Sequence, residues 1–393
     1  MKPRILLFTG KGGVGKTSLA AAHALASAGK GHRTILVSLD QAHNLGDLFD
    51  VGPCPTPTQV APQLDLLEID PGRVRDEEFP HLISSLVGML TPVEDEDSLA
   101  LQSFPGLDNL FFLLKVLNIA ESGVYERIIL DCAPTGETVA MLELPEHLSW
   151  YMERFFGFGK AMVRALAPVS KRLWKVQLPS RKAMNEAEVL FDRLQQTQVL
   201  LKDAEVTSVR LVTMPEKMVV DETKRTYMYL NLFGYTVDAL IVNNIYPRDE
   251  VNDFFAEWVR LQDDNLAELR DALGHLPTTL VRRYQTDLQG IPALERLAAD
   301  SVPDDAFAPA PVLENETYAK LADGYALTLR TPFAAKDEID LFESASELTI
   351  RIGNFKRKVM LPDVLRRQRV TSARCDGETL VIHFSGKESE HEA

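Results

Sequence analysis

The sequence has few cysteines and no long apolar run. Its 393 residues include three cysteines, Cys54, Cys132 and Cys375, and no Cys-x-x-Cys pair. Such a sparse, odd set is typical of a reducing compartment and argues against a disulfide framework or a cysteine zinc site. No apolar segment reaches the roughly 18–20 residues of a membrane helix, and the N-terminus lacks the apolar region of a signal peptide. We therefore expect a cytoplasmic protein without stable membrane insertion.

Basic residues are fewer than acidic ones. The chain has 57 acidic and 42 basic residues, which gives a formal net charge of −15. This balance repels nucleic-acid phosphates and anionic lipid, so nucleic acid is not an expected partner. The hydrophobic fraction of 45% is ample for a large core. The length indicates roughly two to three domains.

Short apolar segments alternate with helical ones through the first 300 residues. Arg4–Thr9, Thr34–Leu39 and Glu126–Asp131 have the apolar character of buried strands, and Lys16–Ala28 has the composition of a helix. Further strands are predicted at Leu64–Ile69, Val209–Thr213 and Ala239–Asn243, and further helices at Thr223–Leu232 and Val251–Leu273. This alternation predicts an α/β fold with a mainly parallel sheet flanked by helices.

The pattern changes near residue 301, where several prolines interrupt regular structure. Beyond this point apolar and polar residues alternate, which is typical of half-buried antiparallel strands. Four such strands are predicted at Tyr325–Leu329, Leu348–Ile352, Lys356–Leu361 and Thr379–Phe384. We therefore expect an α/β domain at 1–312, a small all-β sandwich domain at 313–386 and a polar tail at 387–393.

Residues Gly10–Thr17 satisfy the pattern G-x-x-x-x-G-K-[ST] between a predicted strand and a predicted helix, which is the context of a phosphate-binding loop. Glycines let backbone N–H groups approach phosphate oxygens, and the helix N-terminus adds positive potential. Lys16 is expected to reach the β- and γ-phosphates of ATP, and Thr17 to bind Mg²⁺. The predicted nucleotide-binding residues are Gly12, Gly13, Val14, Gly15, Lys16, Thr17 and Ser18.

Further side chains are candidates for the chemistry. Lys11 is not needed to cradle phosphate within its own subunit; it either reaches a nucleotide bound by a neighbouring copy or is a solvated surface lysine. Asp131 ends a strand and either holds Mg²⁺ or caps a turn, while Asp40 ends another strand and is a second candidate for the same metal. Asp47 either orients the attacking water or is a surface carboxylate. The loop Ala133–Gly136 is a candidate sensor of the γ-phosphate.

These motifs resemble those of the ArsA-type ATPases, a family of arsenite-pump ATPases and of factors that target tail-anchored membrane proteins. The resemblance covers about residues 1–300. Besides the phosphate loop with its extra lysine, it includes Asp40–Asp47, similar to switch I, then Phe104–Asp108, then Asp131–Thr138, similar to switch II.

The resemblance implies a P-loop NTPase fold with a helical insertion, and roles for particular residues. Lys11 looks like a signature lysine that acts across a homodimer. Asp47 looks like the residue that positions the hydrolytic water, and Asn243 like a contact to the adenine base. The helical region at about 75–122 and 142–200 falls where the targeting factors form an apolar groove for their clients.

Some positions depart from the family pattern. Gln41 stands where Pro is usual and Glu137 where His is usual, and the cysteines do not form the arsenite-binding set. Without the Cys-x-x-Cys of the targeting factors, a zinc-bridged dimer is not expected. The C-terminal segments Gly353–Pro362 and Asp376–Ile382 resemble an α-crystallin (small heat-shock protein) domain.

The leading hypothesis is a homodimeric ATPase that uses ATP and Mg²⁺ and couples its nucleotide state to binding of hydrophobic polypeptides, such as tail-anchored membrane proteins. The apolar, Met-rich stretch at 142–184 is either that binding groove or ordinary helical core. One alternative is an ATP-regulated holdase chaperone that acts through the α-crystallin-like domain. Another is an ATPase that drives an anion or arsenite pump.

Overall fold

The computed structural model describes residues 2–40, 45–80, 106–146, 148, 181–250, 252–309, 315–344, 347–366 and 368–386. Its central feature is an eight-stranded sheet with the order β3-β4-β2-β5-β1-β6-β7-β8. The strands are β1 (Arg4–Thr9), β2 (Thr34–Ser38), β3 (Thr58–Ala61), β4 (Leu64–Glu68), β5 (Arg127–Asp131), β6 (Thr207–Thr213), β7 (Val237–Ile245) and β8 (Thr278–Arg282).

Neighbouring strands of this sheet are parallel, except for β3, which is antiparallel to β4. The register places Phe8 of β1 and Ser38 of β2 opposite Asp131 of β5. Parallel strands present their carboxyl ends at one edge of the sheet, where ligands of open α/β sheets bind. The segments that follow β1, β2 and β5 therefore meet at a single edge.

Helices cover both faces of the sheet, because side chains of each strand alternate between two buried cores. In β1, Ile5 and Leu7 belong to one core, whereas Leu6 and Phe8 belong to the other. The helices are α1 (Lys16–Gly29), α2 (Leu45–Leu48), α3 (Pro71–Glu78), α4 (Leu107–Glu121), α5 (135–146), α6 (Arg181–Lys202), α7 (Lys217–Leu232), α8 (Ala256–Leu273) and α9 (Ile291–Ser301). The predicted α/β fold with a mainly parallel sheet is confirmed.

The C-terminal β-domain, from Glu316 to Gly386, consists of two antiparallel sheets with the orders β14-β15-β10-β9 and β11-β12-β13. Its strands are β9 (Glu316–Lys320), β10 (Tyr325–Arg330), β11 (Ile339–Glu343), β12 (Glu347–Ile352), β13 (Phe355–Met360), β14 (Gln368–Cys375) and β15 (Thr379–Gly386). Leu327 and Ile382 from one sheet share a core with Leu348 and Ile350 from the other. The prediction of an all-β C-terminal domain is confirmed.

Among the described strands, five were not predicted from the sequence, and all five lie at sheet edges. They are β3 and β8 in the large sheet, β9 and β14 in one C-terminal sheet, and β11 in the other. Most of their residues are exposed or only half buried. An edge strand buries little side-chain surface, so it lacks the apolar signal from which the interior strands were predicted.

Several sequence predictions fall on residues outside the described ranges. The described part of the helical region predicted at 75–122 and 142–200 is helical in α3, α4, the end of α5 and α6, whereas Phe79, Pro80, Gly106 and Ser122 are not helical. Residues 81–105 and 149–180, the boundary between 312 and 313, and the tail at 387–393 lie outside those ranges. Among the described helices, none combines the length and the apolar character needed to cross a membrane.

Candidate active site

The predicted phosphate loop connects β1 to α1, and its glycines occupy positions that other residues would strain. A Cβ on Gly10 would lie 2.1 Å from the carbonyl oxygen of Val212, which is a backbone clash. Gly13 and Gly15 have φ angles of 80° and 92°, in the left-handed region that favours glycine. The loop therefore depends on glycine at these three positions.

The loop leaves space for an anionic ligand beside a buried cation. No heavy atom lies within 4 Å of the position that a Cβ would take on Gly12 or Gly13. Lys16 is only 7% exposed, and its Nζ donates a hydrogen bond to the carbonyl oxygen of Lys11 at 3.3 Å. Accessible backbone amides, a helix N-terminus and this ammonium group fit the phosphates of a nucleotide.

The carboxylate predicted to serve Mg²⁺ lies next to the loop. Thr17 hydrogen-bonds to the Asp131 carboxyl group, and Lys16 and Asp40 are close enough to influence it electrostatically. Burial raises the pKa of Asp131 to about 7, opposed by Thr17 and Lys16. Its Oδ1 is buried and has no hydrogen-bond partner among the described residues. This orphaned oxygen and the Thr17 hydroxyl fit Mg²⁺, a hard cation that would neutralise phosphate charge.

Asn243, predicted to contact adenine, lies at the carboxyl end of β7 beside the loop. Its side-chain amide donates a hydrogen bond to the carbonyl oxygen of Val14 at 2.9 Å. A Cβ on Gly15 would approach the same amide to 2.3 Å. Asn243 therefore supports the backbone of the phosphate loop in addition to any contact with the base.

Lys11 of the phosphate loop lies beside a carboxylate of α7. Its Nζ lies 3.9 Å from Oε2 of Glu222 in α7, and about a third of the side chain, 33%, is exposed. The other oxygen of Glu222 accepts a hydrogen bond from the hydroxyl of Thr135, the first residue of α5. Glu222 was not predicted as a site residue, because it lies in an ordinary helical pattern more than 200 residues from Lys11.

Asp47 lies in the short helix α2 and is exposed. Its carbonyl oxygen accepts a hydrogen bond from the Gln289 side chain at 3.2 Å, while residues 41–44 of the predicted switch I lie outside the described ranges. The two roles considered for Asp47, positioning of water and a surface carboxylate, both remain predictions.

The cysteines are poorly suited to bind arsenite as thiolates. Cys54 and Cys132 are buried, and burial raises the pKa of both thiols above their ordinary value. Cys375 is half buried in β14 of the C-terminal β-domain. Because the thiolate is the form that binds soft metals, these environments disfavour such a site.

Together, the parallel sheet, the glycine loop and the carboxylate at its edge define a P-loop hydrolase of nucleoside triphosphates. The chain belongs to the ArsA-type ATPase family: the family profile described as "Anion-transporting ATPase" matches residues 3–302. A second profile, "HSP20-like domain found in ArsA", matches residues 322–384, within the C-terminal β-domain. The protein is therefore an ATPase with an HSP20-like domain, as the resemblance implied.

Individual relatives cover most of the chain. A protein of Prosthecochloris vibrioformis named "Putative arsenical pump-driving ATPase" is 34% identical over 91% of this chain and 90% of its own length. A protein of Aquifex aeolicus named "Putative arsenical pump-driving ATPase 1" is 31% identical over 97% of this chain and 100% of its own length. "ATPase GET3C" of Arabidopsis thaliana is 30% identical over 74% of this chain and 80% of its own length.

Proposed function

We propose that two copies of this chain form a dimeric ATPase whose nucleotide state controls the binding of hydrophobic protein segments, including those of tail-anchored membrane proteins. ATP is the substrate, Mg²⁺ is held by Thr17 and Asp131 with Asp40 nearby, and Asp47 positions the attacking water. The relative named GET3C supports a targeting role. We expect the protein to act in the cytoplasm.

The observation that carries this proposal is the position of Lys11. It lies in the phosphate loop but is paired with Glu222 instead of the phosphate-facing space that Lys16 borders. We infer that this cation neutralises charge that develops in the site of the second copy. Such a contribution in trans would act like an arginine finger.

Mixing two inactive variants tests the cross-subunit role. Lys11→Ala should bind ATP normally but lose about 10²-fold or more in turnover, and Asp47→Asn should also be inactive. If Lys11 acts in trans, mixed dimers contain one complete site, since Asp47 comes from one subunit and Lys11 from the other. After equal amounts are mixed and subunits exchange, about half of the dimers are mixed. Each mixed dimer has one working site of two, so turnover should recover to about a quarter of the wild-type value.

No recovery on mixing, with subunit exchange verified by a fluorescent label, would refute the trans role. Wild-type protein mixed with an equal amount of Lys11→Ala serves as the control for inhibition by the variant, because this mixture should retain about half of the wild-type turnover whether or not subunits exchange. A nearly unchanged turnover of Lys11→Ala alone would identify Lys11 as a solvated surface lysine.

Client binding is tested with a fluorescent peptide that carries one apolar segment of membrane-spanning length. The ATP-trapped Asp47→Asn variant should bind this peptide more tightly than nucleotide-free protein does, and a peptide of equal length with interspersed lysines should not bind. Equal affinity with and without ATP would contradict the proposed coupling. Pull-down with the same trapped variant then identifies the natural clients.

The HSP20-like domain favours a second candidate, an ATP-regulated holdase. In that case the C-terminal β-domain itself binds unfolded clients, and ATP adjusts the affinity. Suppression of aggregation of a heat-denatured test protein, measured with and without ATP, distinguishes the two candidates. Protection that is independent of an apolar membrane segment in the client would favour the holdase.

A further inference from the structure

Arg357 of β13 is one of the side chains through which the C-terminal β-domain contacts the ATPase part of the chain. It is only 6% exposed, although its neighbours Lys356 and Lys358 are not buried. Its guanidinium donates to the Glu146 carboxylate at 3.3 Å, to the Leu232 carbonyl oxygen at 2.6 Å and to the Glu316 carboxylate at 2.5 Å. A buried guanidinium is stable only with such partners, and its bonds to Glu146 and Leu232 join β13 to the ATPase part at a contact that we call the seam.

Glu146 connects this seam to the nucleotide edge through a single helix. It is the last residue of the continuously described part of α5, and the helix begins at Thr135 of the predicted switch II. At 1.5 Å per residue, the helix spans roughly 16 Å. Leu142 in its middle is buried, and its carbonyl oxygen accepts a hydrogen bond from the hydroxyl of Tyr235 at 2.7 Å. These contacts pack the middle of α5 against the ATPase core.

Helix α7 makes a second connection between the same two places. Near its start, Glu222 contacts Lys11 and Thr135. Near its end, the Tyr229 ring packs 3.8 Å from the ring of Phe355 in β13, and the Leu232 carbonyl accepts a hydrogen bond from Arg357. The ends of α5 and α7 that are remote from the nucleotide thus meet at one arginine of the C-terminal β-domain.

We propose that Arg357 is a positioning residue for ATP hydrolysis. By holding the far ends of α5 and α7, it sets the positions of Thr135 and Lys11 at the nucleotide edge. The C-terminal β-domain thereby controls turnover, and because coupling between two sites is reciprocal, nucleotide binding changes the seam at β13. This inference rests on the predicted role of the loop Ala133–Gly136 as a γ-phosphate sensor and on the role proposed above for Lys11.

Substitution of Arg357 tests the positioning role by separating turnover from binding. Arg357→Met should lower kcat about tenfold, since small displacements remote from the chemistry are costly, while the affinity for ATP changes less than about twofold. Arg357→Lys should restore part of the activity. The control is Arg351→Met in β12, which removes an exposed ion pair with Asp340 at 3.7 Å and should leave kcat unchanged.

Glu146→Gln and Arg357→Met together form a double-mutant cycle. If both act through the same contact, the double variant should be no slower than the slower single variant. Multiplied effects, or an unchanged kcat in Arg357→Met, would overturn the proposal. Equal loss of kcat and of ATP affinity would do so too, since it would indicate a merely structural role.

Hydrogen exchange on the wild-type protein covers the case in which the Arg357 variants do not fold. Addition of a non-hydrolysable ATP analogue with Mg²⁺ should change protection in peptides from α5 and from β13 together, while β14 at the far edge stays constant. A change in 133–138 without any change in β13 would overturn the coupling. This readout is independent of the mixing experiment, so failure of the trans role of Lys11 and failure of the coupling are distinguishable.

Discussion

Glu143 provides a test of the packing of α5 that does not involve nucleotide. This carboxyl group is 9% exposed, and its Oε1 has no hydrogen-bond partner among the described residues. Burial, and to a smaller extent the neighbouring Glu146, raise its pKa from the ordinary 4.5 to about 8. The folded protein therefore holds a proton that the unfolded chain releases over this range.

The sign of the resulting pH dependence follows from that raised pKa. Below about pH 4.5 the group is protonated in both states and costs nothing. As pH rises towards 8 the unfolded chain gains stability by ionising, so the free energy of unfolding falls, and above 8 the cost is constant. The shift sets an upper limit of about 5 kcal/mol, and partial access of water reduces the expected cost to about 2–3 kcal/mol.

Glu143→Gln removes the titration while conserving the shape of the side chain. In urea unfolding at matched pH, the free energy of unfolding of the variant should exceed that of wild type by about 2–3 kcal/mol at pH 8.5 and by less than about 1 kcal/mol at pH 5. The control is Glu295→Gln on the exposed face of α9, which should match wild type at both pH values. A gain from Glu143→Gln that is the same at both pH values would refute the reasoning.

Two further predictions concern the phosphate loop and the metal. Gly10→Ala should abolish ATP binding measured by calorimetry, because the added Cβ would lie 2.1 Å from the Val212 carbonyl oxygen. The control is Gly29→Ala, which should bind ATP normally because the added Cβ would meet no neighbouring heavy atom within 4 Å. The pKa of Asp131, which burial raises to about 7, makes protons compete with Mg²⁺. The apparent affinity for Mg²⁺ in the presence of ATP should therefore rise about tenfold per pH unit below pH 7, and a flat profile would contradict this role of Asp131.

The sequence was sufficient for those features that depend on neighbouring residues. The phosphate loop is encoded by Gly10–Thr17, and the interior strands by continuous apolar runs, so both were predicted. The partner of Lys11 could not be predicted, because Glu222 meets it only through the packing of α7 against the edge of the sheet. Polar edge strands such as β9 and β14 were missed for a related reason, since pairing of the backbone, not burial of side chains, defines them.

Arg357 lies between these two cases. The alternation in Lys356–Leu361 places it on the same face as Val359 and Leu361, which are buried, so period two alone assigns it an inward position. A buried arginine requires hydrogen-bond acceptors, so the inward position of Arg357 in this alternation was a sequence signal for a buried polar contact. Its partners Glu146 and the Leu232 carbonyl oxygen come from distant helices, so only the folded chain identifies them.

The seam also decides how the targeting and holdase functions can be separated. Truncation at 312/313 would remove Phe355 from Tyr229 and Arg357 from Glu146, and it would expose part of a core that runs through both domains. Loss of activity after truncation would therefore reflect damage to the ATPase part as much as loss of a client site. A surface change such as Phe342→Ser is better suited, because this side chain is 55% exposed on β11. It leaves the seam intact, so an effect on holdase activity alone can be assigned to the C-terminal β-domain.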